Sequence, residues 1–265
     1  MAENNTVYLV TGANRGIGLS LTTNLLTRPN TTVIATSRSP FTTPTTSPHT
    51  TPPHPSSTLI PILLDESNPQ ISSSTLLSRL SSLGIAHIDV LIANAGSSVG
   101  FKTLAETKVD DIVADLEVNL LNVVKLFNVT RPLLLETRQS KQGKQEEEKE
   151  ITKLIVVSSS VGSIGLLSGE EGNLPVGSYG LSKAALNWWA QKVAVEYKEK
   201  GLMVGVIHPG WVKTGMGQGL ADAVGLKEPP STTEESARGV LEQIDNLTWE
   251  KTNQFLMYDG RVLPW

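Results

Sequence analysis

Apolar residues in this chain form short continuous runs, and longer segments with apolar residues at helical spacing lie between them. A continuous apolar run is typical of a strand that is covered on both faces of a parallel sheet. The runs predict strands at 7–10, 32–36, 59–64, 90–93, 153–158, 203–208 and 253–257. The periodic segments predict helices at 19–27, 72–83, 109–137, 179–200 and 234–245. This alternation predicts one α/β domain over residues 1–265, a doubly wound parallel sheet of about seven strands with helices on both faces.

Three segments depart from this alternation. Residues 39–57 are rich in Pro and Thr, and because no helix tolerates so many prolines we expect an irregular loop there. Residues 138–150 are dense in Lys, Glu and Gln, which predicts a charged, solvated insertion that extends or follows the long central helix. Residues 215–230 are rich in Gly and lack strong periodicity, which predicts a mobile lid over a bound substrate.

Composition excludes several classes of protein. The chain has 265 residues, a net charge of −4 and a pI of about 5.6, so neither nucleic acid nor an anionic membrane is an expected partner. It contains no cysteine, which excludes disulfides and thiolate chemistry. No apolar run could span a membrane and no signal peptide is visible, so we expect a cytoplasmic protein. His49 and His54 have no carboxylate or Cys nearby, so no metal site is predicted.

A glycine-rich turn joins the first predicted strand to the first predicted helix. It runs from Thr11 to Gly18 and has glycines at 12, 16 and 18. Bare backbone lets a pyrophosphate approach closely, and the N-terminus of the following helix favours its negative charge. This context predicts a dinucleotide site, and a tight turn without a ligand is the alternative.

Tyr179 and Lys183 are four residues apart in a predicted helix and therefore lie about one turn apart on one face. A free phenol has a pKa of ~10 and exchanges protons poorly at neutral pH. A neighbouring ammonium stabilises the phenolate, so we expect Lys183 to lower the pKa of Tyr179 into the range that acid/base catalysis needs. The alternative is a surface Tyr and Lys on an amphipathic helix.

Further motifs follow in a fixed order along the chain: Asn94-Ala95-Gly96, Asn119, Ser159, and Pro209-Gly210 after the Tyr179/Lys183 pair. With the glycine-rich turn, they resemble the short-chain dehydrogenase/reductase superfamily over essentially the whole chain. The resemblance implies an NAD(P)-binding reductase domain of the Rossmann type. Residues 156–164 and 208–214 are similar to the branch of sniffer-type carbonyl reductases and C-signal proteins. The start of the chain and its C-terminal strand resemble, more loosely, fungal norsolorinic acid ketoreductases.

The resemblance implies four catalytic residues, which are Asn119, Ser159, Tyr179 and Lys183. Tyr179 would protonate the carbonyl oxygen of the substrate, and Lys183 would also bind the ribose hydroxyls next to the nicotinamide. Asn119 would hold a water molecule that connects Lys183 to solvent. An Asn that satisfies a helix backbone carbonyl is the alternative for this position, and both can hold together.

Ser159 would hydrogen-bond the substrate oxygen and share the charge that develops on it. Three serines stand in a row here, and the family pattern Ser-x-x-Gly with Gly162 selects Ser159, with Ser160 as the fallback. The distance along the chain to Tyr179 exceeds the family norm. We attribute the excess to residues 169–176, which resemble an insertion at the rim of the site.

The same resemblance implies cofactor contacts at Gly12, Asn14, Arg15, Gly16, Ile17, Gly18, Ser37, Arg38, Asp65, Asn94, Ala95, Gly96, Tyr179, Lys183, Pro209, Gly210, Val212 and Thr214. Asp65 would contact the adenine amino group, or it could instead cap the next helix. Thr214 would bond the nicotinamide amide, and the backbone of Val212 would help to select the ring face. Small residues at 94–96 would let the backbone pass close to the cofactor.

The end of the second strand indicates which cofactor is preferred. Sites for NAD commonly place an acid there to hold the ribose 2′-hydroxyl, whereas a 2′-phosphate needs a cation. The chain has Ser37-Arg38 and no acid at this point, and Arg15 lies in the glycine-rich turn. Because Arg matches phosphate geometry well, we expect NADP.

The sequence therefore predicts an NADPH-dependent ketoreductase or carbonyl reductase that acts on a ketone or aldehyde with hydrophobic or aromatic substituents. An NAD-dependent secondary-alcohol dehydrogenase and a non-catalytic NADP-binding regulator are the alternatives. Candidates for an apolar pocket are Leu166, Leu167, Trp188, Trp211 and Met216. The resemblance implies a homodimer or homotetramer through the long helices, and a monomer remains open because the charged segment could disturb that packing.

Overall fold

The computed structural model describes residues 5–40, 52–68, 70, 72–135 and 151–265. The predicted charged insertion at 138–150 lies outside the described residues, as does most of the predicted loop at 39–57, including His49. Its described end, residues 52–57, contains only irregular structure and a turn. His54 accepts or donates a local hydrogen bond with Ser56.

Eight strands form a single sheet in the described part of the chain. They are β1 (Thr6–Thr11), β2 (Thr31–Ser37), β3 (Thr58–Leu63), β4 (Val90–Ala93), β5 (Thr152–Val157), β6 (Leu202–His208), β7 (Phe255–Met257) and β8 (Val262–Leu263). Their order is β3-β2-β1-β4-β5-β6-β7-β8, parallel except for the β7–β8 pair. The predicted doubly wound α/β fold is confirmed, with a two-residue antiparallel strand added to the expected seven.

The helices are α1 (Gly16–Leu26), α2 (Ser73–Ser82), α3 (Val109–Leu116), α4 (Asn122–Leu135), α5 (Gly177–Tyr197), α6 (Gly215–Ala223) and α7 (Thr233–Asp245). Two of these differ from the sequence prediction. The expected single helix at 109–137 is interrupted by a π-helical turn at Glu117–Leu121, so that α3 and α4 are separate. Residues 215–223 of the expected lid form a regular helix, because the Thr214 side chain accepts a hydrogen bond from the Gly217 amide and caps it.

The apolar runs become central strands because helices cover both faces of the sheet. Every residue of β2 and of β4 is buried. One apolar cluster lies on the face covered by α2, α4 and α5, and a second lies on the face covered by α1 and α7. Because helices pack on both faces of the sheet, these strands lack the alternation of apolar and polar residues that a half-exposed sheet shows.

The order of the strands reverses between β1 and β4, which are parallel neighbours. Strands β2 and β3 follow on one side of β1, and strands β5 to β8 follow on the other side of β4. The crevice at the carboxyl ends of strands at such a switch point is the usual ligand site of an open α/β sheet. None of the helices in the described ranges is both long and apolar enough to cross a membrane.

Candidate active site

A cleft of about 1650 Å³ opens at the carboxyl ends of β1, β4, β5 and β6. Of the predicted catalytic and cofactor-binding residues, all but Asn119 line this cleft, and Asn119 lies directly behind its wall. The lining includes Arg38 and Asp65 as well as Trp211 and Met216. The volume of the cleft can accommodate a dinucleotide and a second small molecule.

The glycine-rich turn packs too closely for larger side chains. Gly12 and Gly16 have φ values of 65° and 53°, a region that favours glycine. A Cβ atom at Gly18 would lie 2.2 Å from the carbonyl oxygen of Gly12 and 2.6 Å from Nδ2 of Asn94. The turn therefore exposes bare backbone at the start of α1.

The N-terminus of α1 is not capped by the side chain of its N-cap residue. Arg15 occupies this position with extended backbone and accepts no hydrogen bond through its side chain from the first turn of the helix. The amide groups of this turn are donors that need an acceptor, and the helix dipole adds positive potential. A pyrophosphate fits this arrangement of donors, so the residues present suit a dinucleotide cofactor.

Thr11 connects the glycine-rich turn to the end of β4. Its Oγ1 accepts hydrogen bonds from the amides of Asn94 and Ala95, at 3.0 and 2.9 Å. Asn94 in turn donates from Nδ2 to the carbonyl oxygen of Thr11, at 2.9 Å. The segment Asn94-Ala95-Gly96 is thus held as a close wall of the cleft.

The end of β2 supplies two side chains to the expected adenosine end of the cleft. Ser37 is buried and donates to the carbonyl oxygen of Ser39, whereas Arg38 is exposed. Asn14 donates from Nδ2 to Oγ of Ser39, at 2.9 Å, which joins this segment to the glycine-rich turn. Arg38 and Arg15 both line the cleft.

Asp65 lies two residues beyond β3 and lines the cleft beside Arg38. Its Oδ1 accepts hydrogen bonds from the hydroxyl and the amide of Ser67, and these bonds, with a smaller contribution from Arg38, lower the pKa of the carboxyl group. The alternative that Asp65 caps the next helix was wrong, because the N-cap residue of α2 is Ser72.

Asn119 lies fully buried in the π-helical turn between α3 and α4. Its Oδ1 accepts from the amide of Ser97, and its Nδ2 donates to the carbonyl oxygen of Ser97 and to Oγ of Ser182, at 2.8 and 2.9 Å. The alternative role predicted for Asn119 was a hydrogen bond from its side chain to a helix carbonyl. None of these contacts is such a bond. The π turn aims the amide at the segment that follows β4, and π turns often occur at functional sites.

Ser159 lies two residues beyond the end of β5 and is the N-cap of a 3₁₀ turn at Ser160–Gly162. A Cβ atom at Gly162 would lie 2.7 Å from the backbone carbon of Lys183, so glycine lets this turn pack against α5. Asn187 of α5 holds the turn from both sides, through Oγ of Ser158 and the carbonyl oxygen of Gly162.

The side chains of Tyr179 and Ser159 both line the cleft, and Ser159 lies close enough to the phenol to influence its pKa. Burial of the phenol raises the pKa of Tyr179 to about 12, although the interaction with Ser159 acts in the opposite direction. The expectation that Lys183 produces a net decrease was wrong. Desolvation of the phenolate outweighs attraction to an ammonium whose nitrogen lies 5.7 Å from the centre of the ring.

Lys183 is almost fully buried and donates from Nζ to the carbonyl oxygen of Val157, at 3.0 Å. Burial lowers the pKa of Lys183 to about 8, and the negative charge of Asp115 opposes this change. The ammonium lies near Gly96, where an added Cβ atom would be 3.5 Å from Nζ and 3.1 Å from Oδ1 of Asn119. Lys183, Asn119 and the end of β4 therefore meet behind Tyr179.

The segment after β6 closes the nicotinamide end of the cleft. Gly210 has a φ of 86°, and Val212 is buried and bridges to Ser231. Thr214 caps α6 and packs against the glycine-rich turn, since a Cβ atom at Gly16 would lie 3.2 Å from its Cγ2. The structure thereby brings the two predicted cofactor segments together.

Two of the five candidate pocket residues line the cleft, and three do not. Trp211 and Met216 face it together with Phe101, Leu174 and Leu220, whereas Leu166, Leu167 and Trp188 lie outside its lining. Trp188 is 67% exposed on the outer face of α5. The helical spacing of Trp188 could not distinguish the inner face of α5 from the outer one.

The segment expected to be an insertion forms the rim of the cleft. It contains a 3₁₀ turn at Glu170–Asn173, and Glu170, Glu171 and Leu174 line the opening. The preceding residues are held by the end of the chain, because Ser163 and Gly165 donate to the carbonyl oxygens of Pro264 and Trp265.

Sequence reasoning missed two residues that shape the site, His208 and Phe101. His208 lines the cleft and accepts a hydrogen bond at Nδ1 from the amide of Ser160, and burial lowers its pKa to about 4. Phe101 packs on α6, where a Cβ atom at Gly219 would lie 2.8 Å from its ring. The position of His208 at the end of a predicted strand was a usable signal, whereas nothing in the sequence marked Phe101.

Comparison with known proteins agrees with this geometry. The family model described as short chain dehydrogenase matches residues 6–225. A norsolorinic acid ketoreductase of Dothistroma septosporum is 35% identical over 98% of this chain and 92% of its own length. The corresponding protein of Aspergillus parasiticus is 31% identical over 98% and 91%.

Solved structures agree as well. The NADPH-bound carbonyl reductase from chicken fatty liver superposes with a TM-score of 0.78 at 29% identity, over 98% of this chain and 99% of that one. The carbonyl reductase Sniffer of Drosophila melanogaster has a TM-score of 0.77 at 23% identity over 98% and 99%, and shows the shared fold. The chain therefore belongs to the short-chain dehydrogenase/reductase family of oxidoreductases.

Proposed function

We propose that this protein is an NADPH-dependent reductase of ketones or aldehydes with hydrophobic or aromatic substituents. The observation that carries the proposal is that Tyr179 and Ser159 line the same cleft and interact with each other, with the ammonium of Lys183 behind the phenol. Two neighbouring hydroxyl groups can both contact a single substrate oxygen. This is the arrangement that polarises and then protonates a carbonyl group.

In this mechanism, Ser159 and Tyr179 hold the carbonyl oxygen, and Tyr179 donates its proton to that oxygen. When bound, NADPH supplies the hydride that reaches the carbonyl carbon. With its pKa raised by burial, the phenol of Tyr179 is protonated at neutral pH, so the proton to be donated is in place. Lys183 stabilises the phenolate that remains, and we propose that a water held near Asn119 returns the proton.

NADP is the proposed cofactor because two guanidinium groups, those of Arg15 and Arg38, line the expected adenosine end of the cleft. The end of β2, at Ser37-Arg38, contains no acidic residue. A carboxylate here would repel the 2′-phosphate and hold the 2′-hydroxyl of NAD instead. The NADPH bound to the chicken carbonyl reductase supports the same choice.

The substrate end of the cleft supports the proposed substrate class. Phe101, Leu174, Trp211, Met216 and Leu220 contribute apolar surface there. Flat aromatic or apolar substituents fit between such side chains. The names of the fungal relatives, which are norsolorinic acid ketoreductases, support an aromatic ketone as a member of this class.

The decisive experiment follows NADPH absorbance with a panel of aliphatic, aryl and polycyclic ketones. Wild type should oxidise NADPH with an aryl or polycyclic ketone, Tyr179→Phe should lose at least about 100-fold in kcat, and Tyr197→Phe should match wild type. Tyr197 lies at the far end of α5 and contacts Arg131, away from the cleft. Tight binding of NADPH without turnover would favour a regulator, and faster turnover of alcohols with NAD would favour a dehydrogenase.

A homodimer through α5 is also proposed. Leu181, Trp188 and Val195 recur every seventh residue on this helix and are 41%, 67% and 62% exposed. Residues with this spacing form one apolar stripe, which a second copy of the same stripe could cover across a two-fold axis. Sedimentation velocity should give a dimer for wild type and a monomer for Trp188→Glu, whereas a wild-type monomer would contradict the proposal. A cytoplasmic location remains a prediction from the sequence.

A further inference from the structure

Asp115 is a buried carboxylate that the mechanism above does not use. It lies on α3, four residues before Asn119, and its exposed fraction is 0%. Carboxylates are rarely buried in this way unless they are paired or hydrogen-bonded. The position of Asp115 next to the reaction centre therefore requires a physical reason.

The carboxylate of Asp115 joins two segments on either side of the reaction centre. Its Oδ1 accepts from the amide of Val99, at 3.0 Å, and its Oδ2 accepts from Oγ of Ser178, at 2.7 Å. Val99 belongs to the segment after β4 that Asn119 also holds through Ser97. Ser178 immediately precedes Tyr179 in the first turn of α5, where no side chain caps the helix.

The charge of Asp115 also reaches the catalytic pair on α5. Its proximity raises the pKa of Tyr179 and opposes the decrease that burial causes in the pKa of Lys183. Among the charged groups that face it, Asp111 lies one turn earlier on α3 and pairs with Lys102, at 2.9 Å. Burial raises the pKa of Asp115, whereas its hydrogen bonds with Ser178 and Val99 and the charge of Lys183 act in the opposite direction.

We propose that Asp115 is a positioning residue for the reduction: it holds the first turn of α5 so that Tyr179 faces Ser159, and its buried negative charge acts on Lys183 of the same helix. The proposal rests on the proposed function and deepens it. It adds a carboxylate behind the catalytic lysine to the residues that the family resemblance implies.

The test compares Asp115→Asn with Ser178→Ala and with the control Asp110→Asn. Asn has nearly the shape of Asp but no charge, so this variant should lower kcat by about 10-fold with little change in the KM for NADPH. The alkaline limb of its kcat profile should move to lower pH by about 0.5–1, because Lys183 then loses its proton more readily. Asp110 lies on the exposed face of the same helix, so the control should match wild type.

Ser178→Ala removes one hydrogen bond and no charge, so it should lower kcat without moving the alkaline limb. Hydrogen exchange of residues 177–183, followed by mass spectrometry, reports on the first turn of α5 without any turnover. Faster exchange in Asp115→Asn and Ser178→Ala is expected, and exchange as slow as in wild type would overturn the positioning role. An unmoved alkaline limb in a folded Asp115→Asn would overturn the role of the charge.

These readouts separate the two proposals. Wild type that reduces none of the ketones would contradict the proposed function, whereas the exchange measurement would still decide whether Asp115 holds α5. If Asp115→Asn does not fold, Ser178→Ala decides by the same two measurements. A wild-type kcat and wild-type exchange in Ser178→Ala would then overturn the proposal.

Discussion

The Nζ atom of Lys183 donates a hydrogen bond to the carbonyl oxygen of Val157, 3.0 Å away. Val157 is the last residue of β5, and Ser159 lies two residues beyond it. This bond therefore connects the lysine of α5 to the strand end that positions Ser159, the proposed catalytic serine. It also compensates part of the free energy that is lost when an ammonium is buried.

Replacing Lys183 with Met should stabilise the protein and abolish its activity. The pKa of Lys183 falls from 10.5 to about 8, which corresponds to about 3 kcal/mol against folding below pH 8. Lys183→Met removes this cost, but the loss of the hydrogen bond to Val157 offsets about 1 kcal/mol of the resulting gain in stability. Denaturant unfolding at pH 7 should show Lys183→Met about 2 kcal/mol more stable than wild type.

The pH dependence of this difference has a definite sign. Because the folded-state pKa is depressed, wild type regains stability as pH rises from 8 to 10.5, where the unfolded chain also loses the proton. The advantage of Lys183→Met should therefore shrink over this range. A variant less stable than wild type at pH 7 would contradict the explanation.

Ser159→Ala and Ser160→Ala should differ strongly in kcat. The side chain of Ser159 interacts with the phenol of Tyr179, whereas Ser160 contacts His208 through its backbone amide, which needs no hydroxyl group. Loss of a donor to the developing oxyanion costs about 100-fold to 1000-fold in kcat. Steady-state kinetics should show this loss for Ser159→Ala and less than about a 3-fold loss for Ser160→Ala. The reverse result would assign the role to Ser160.

Arg38→Ala should raise the KM for NADPH and leave the KM for NADH nearly unchanged. A hydrogen bond from a guanidinium to a phosphate contributes about 1.5–3 kcal/mol, so the expected increase is about 10-fold to 100-fold. Arg238, an exposed residue of α7 outside the cleft, supplies the control substitution to Ala. Equal effects of Arg38→Ala on both cofactors would contradict the proposed 2′-phosphate contact.

His208 should make the protein less stable in acid. Burial lowers its pKa from 6.5 to about 4, so the unfolded chain binds a proton in this range before the folded protein does. The stability that the neutral imidazole contributes is complete above pH 6.5 and is lost as pH falls toward 4. Thermal unfolding between these pH values should show a loss of about 1–3 kcal/mol that is reduced in His208→Asn and retained in His54→Asn.

Gly162→Ala should destabilise the protein, whereas Gly215→Ala should not. A Cβ atom at Gly162 would lie 2.7 Å from backbone and side-chain carbons of Lys183, but one at Gly215 would meet nothing within 4 Å. Forcing an atom into a packed contact costs about 1–3 kcal/mol. Chemical denaturation can compare the two variants, and a neutral Gly162→Ala would show that the turn after β5 can move away from α5.

The sequence alone determined the order of the first seven strands, the positions of most helices and the members of the glycine-rich turn. These features depend on local properties: apolar runs, glycines that adopt positive φ at Gly12 and Gly16, and the four-residue spacing of Tyr179 and Lys183. Each is encoded within a few neighbouring residues. No knowledge of distant contacts was needed to find them.

Features that depend on contacts between residues far apart in the sequence were decided only by the tertiary structure. Helix α6 forms over a glycine-rich segment, and Phe101, more than a hundred residues earlier, packs against it at Gly219. The net direction of the Tyr179 pKa depends on how much protein surrounds the phenol, which the spacing to Lys183 does not specify. Asp115 acquires a role only when Val99 and Ser178 meet at its carboxylate, because burial and long-range packing, rather than local pattern, place those donors there.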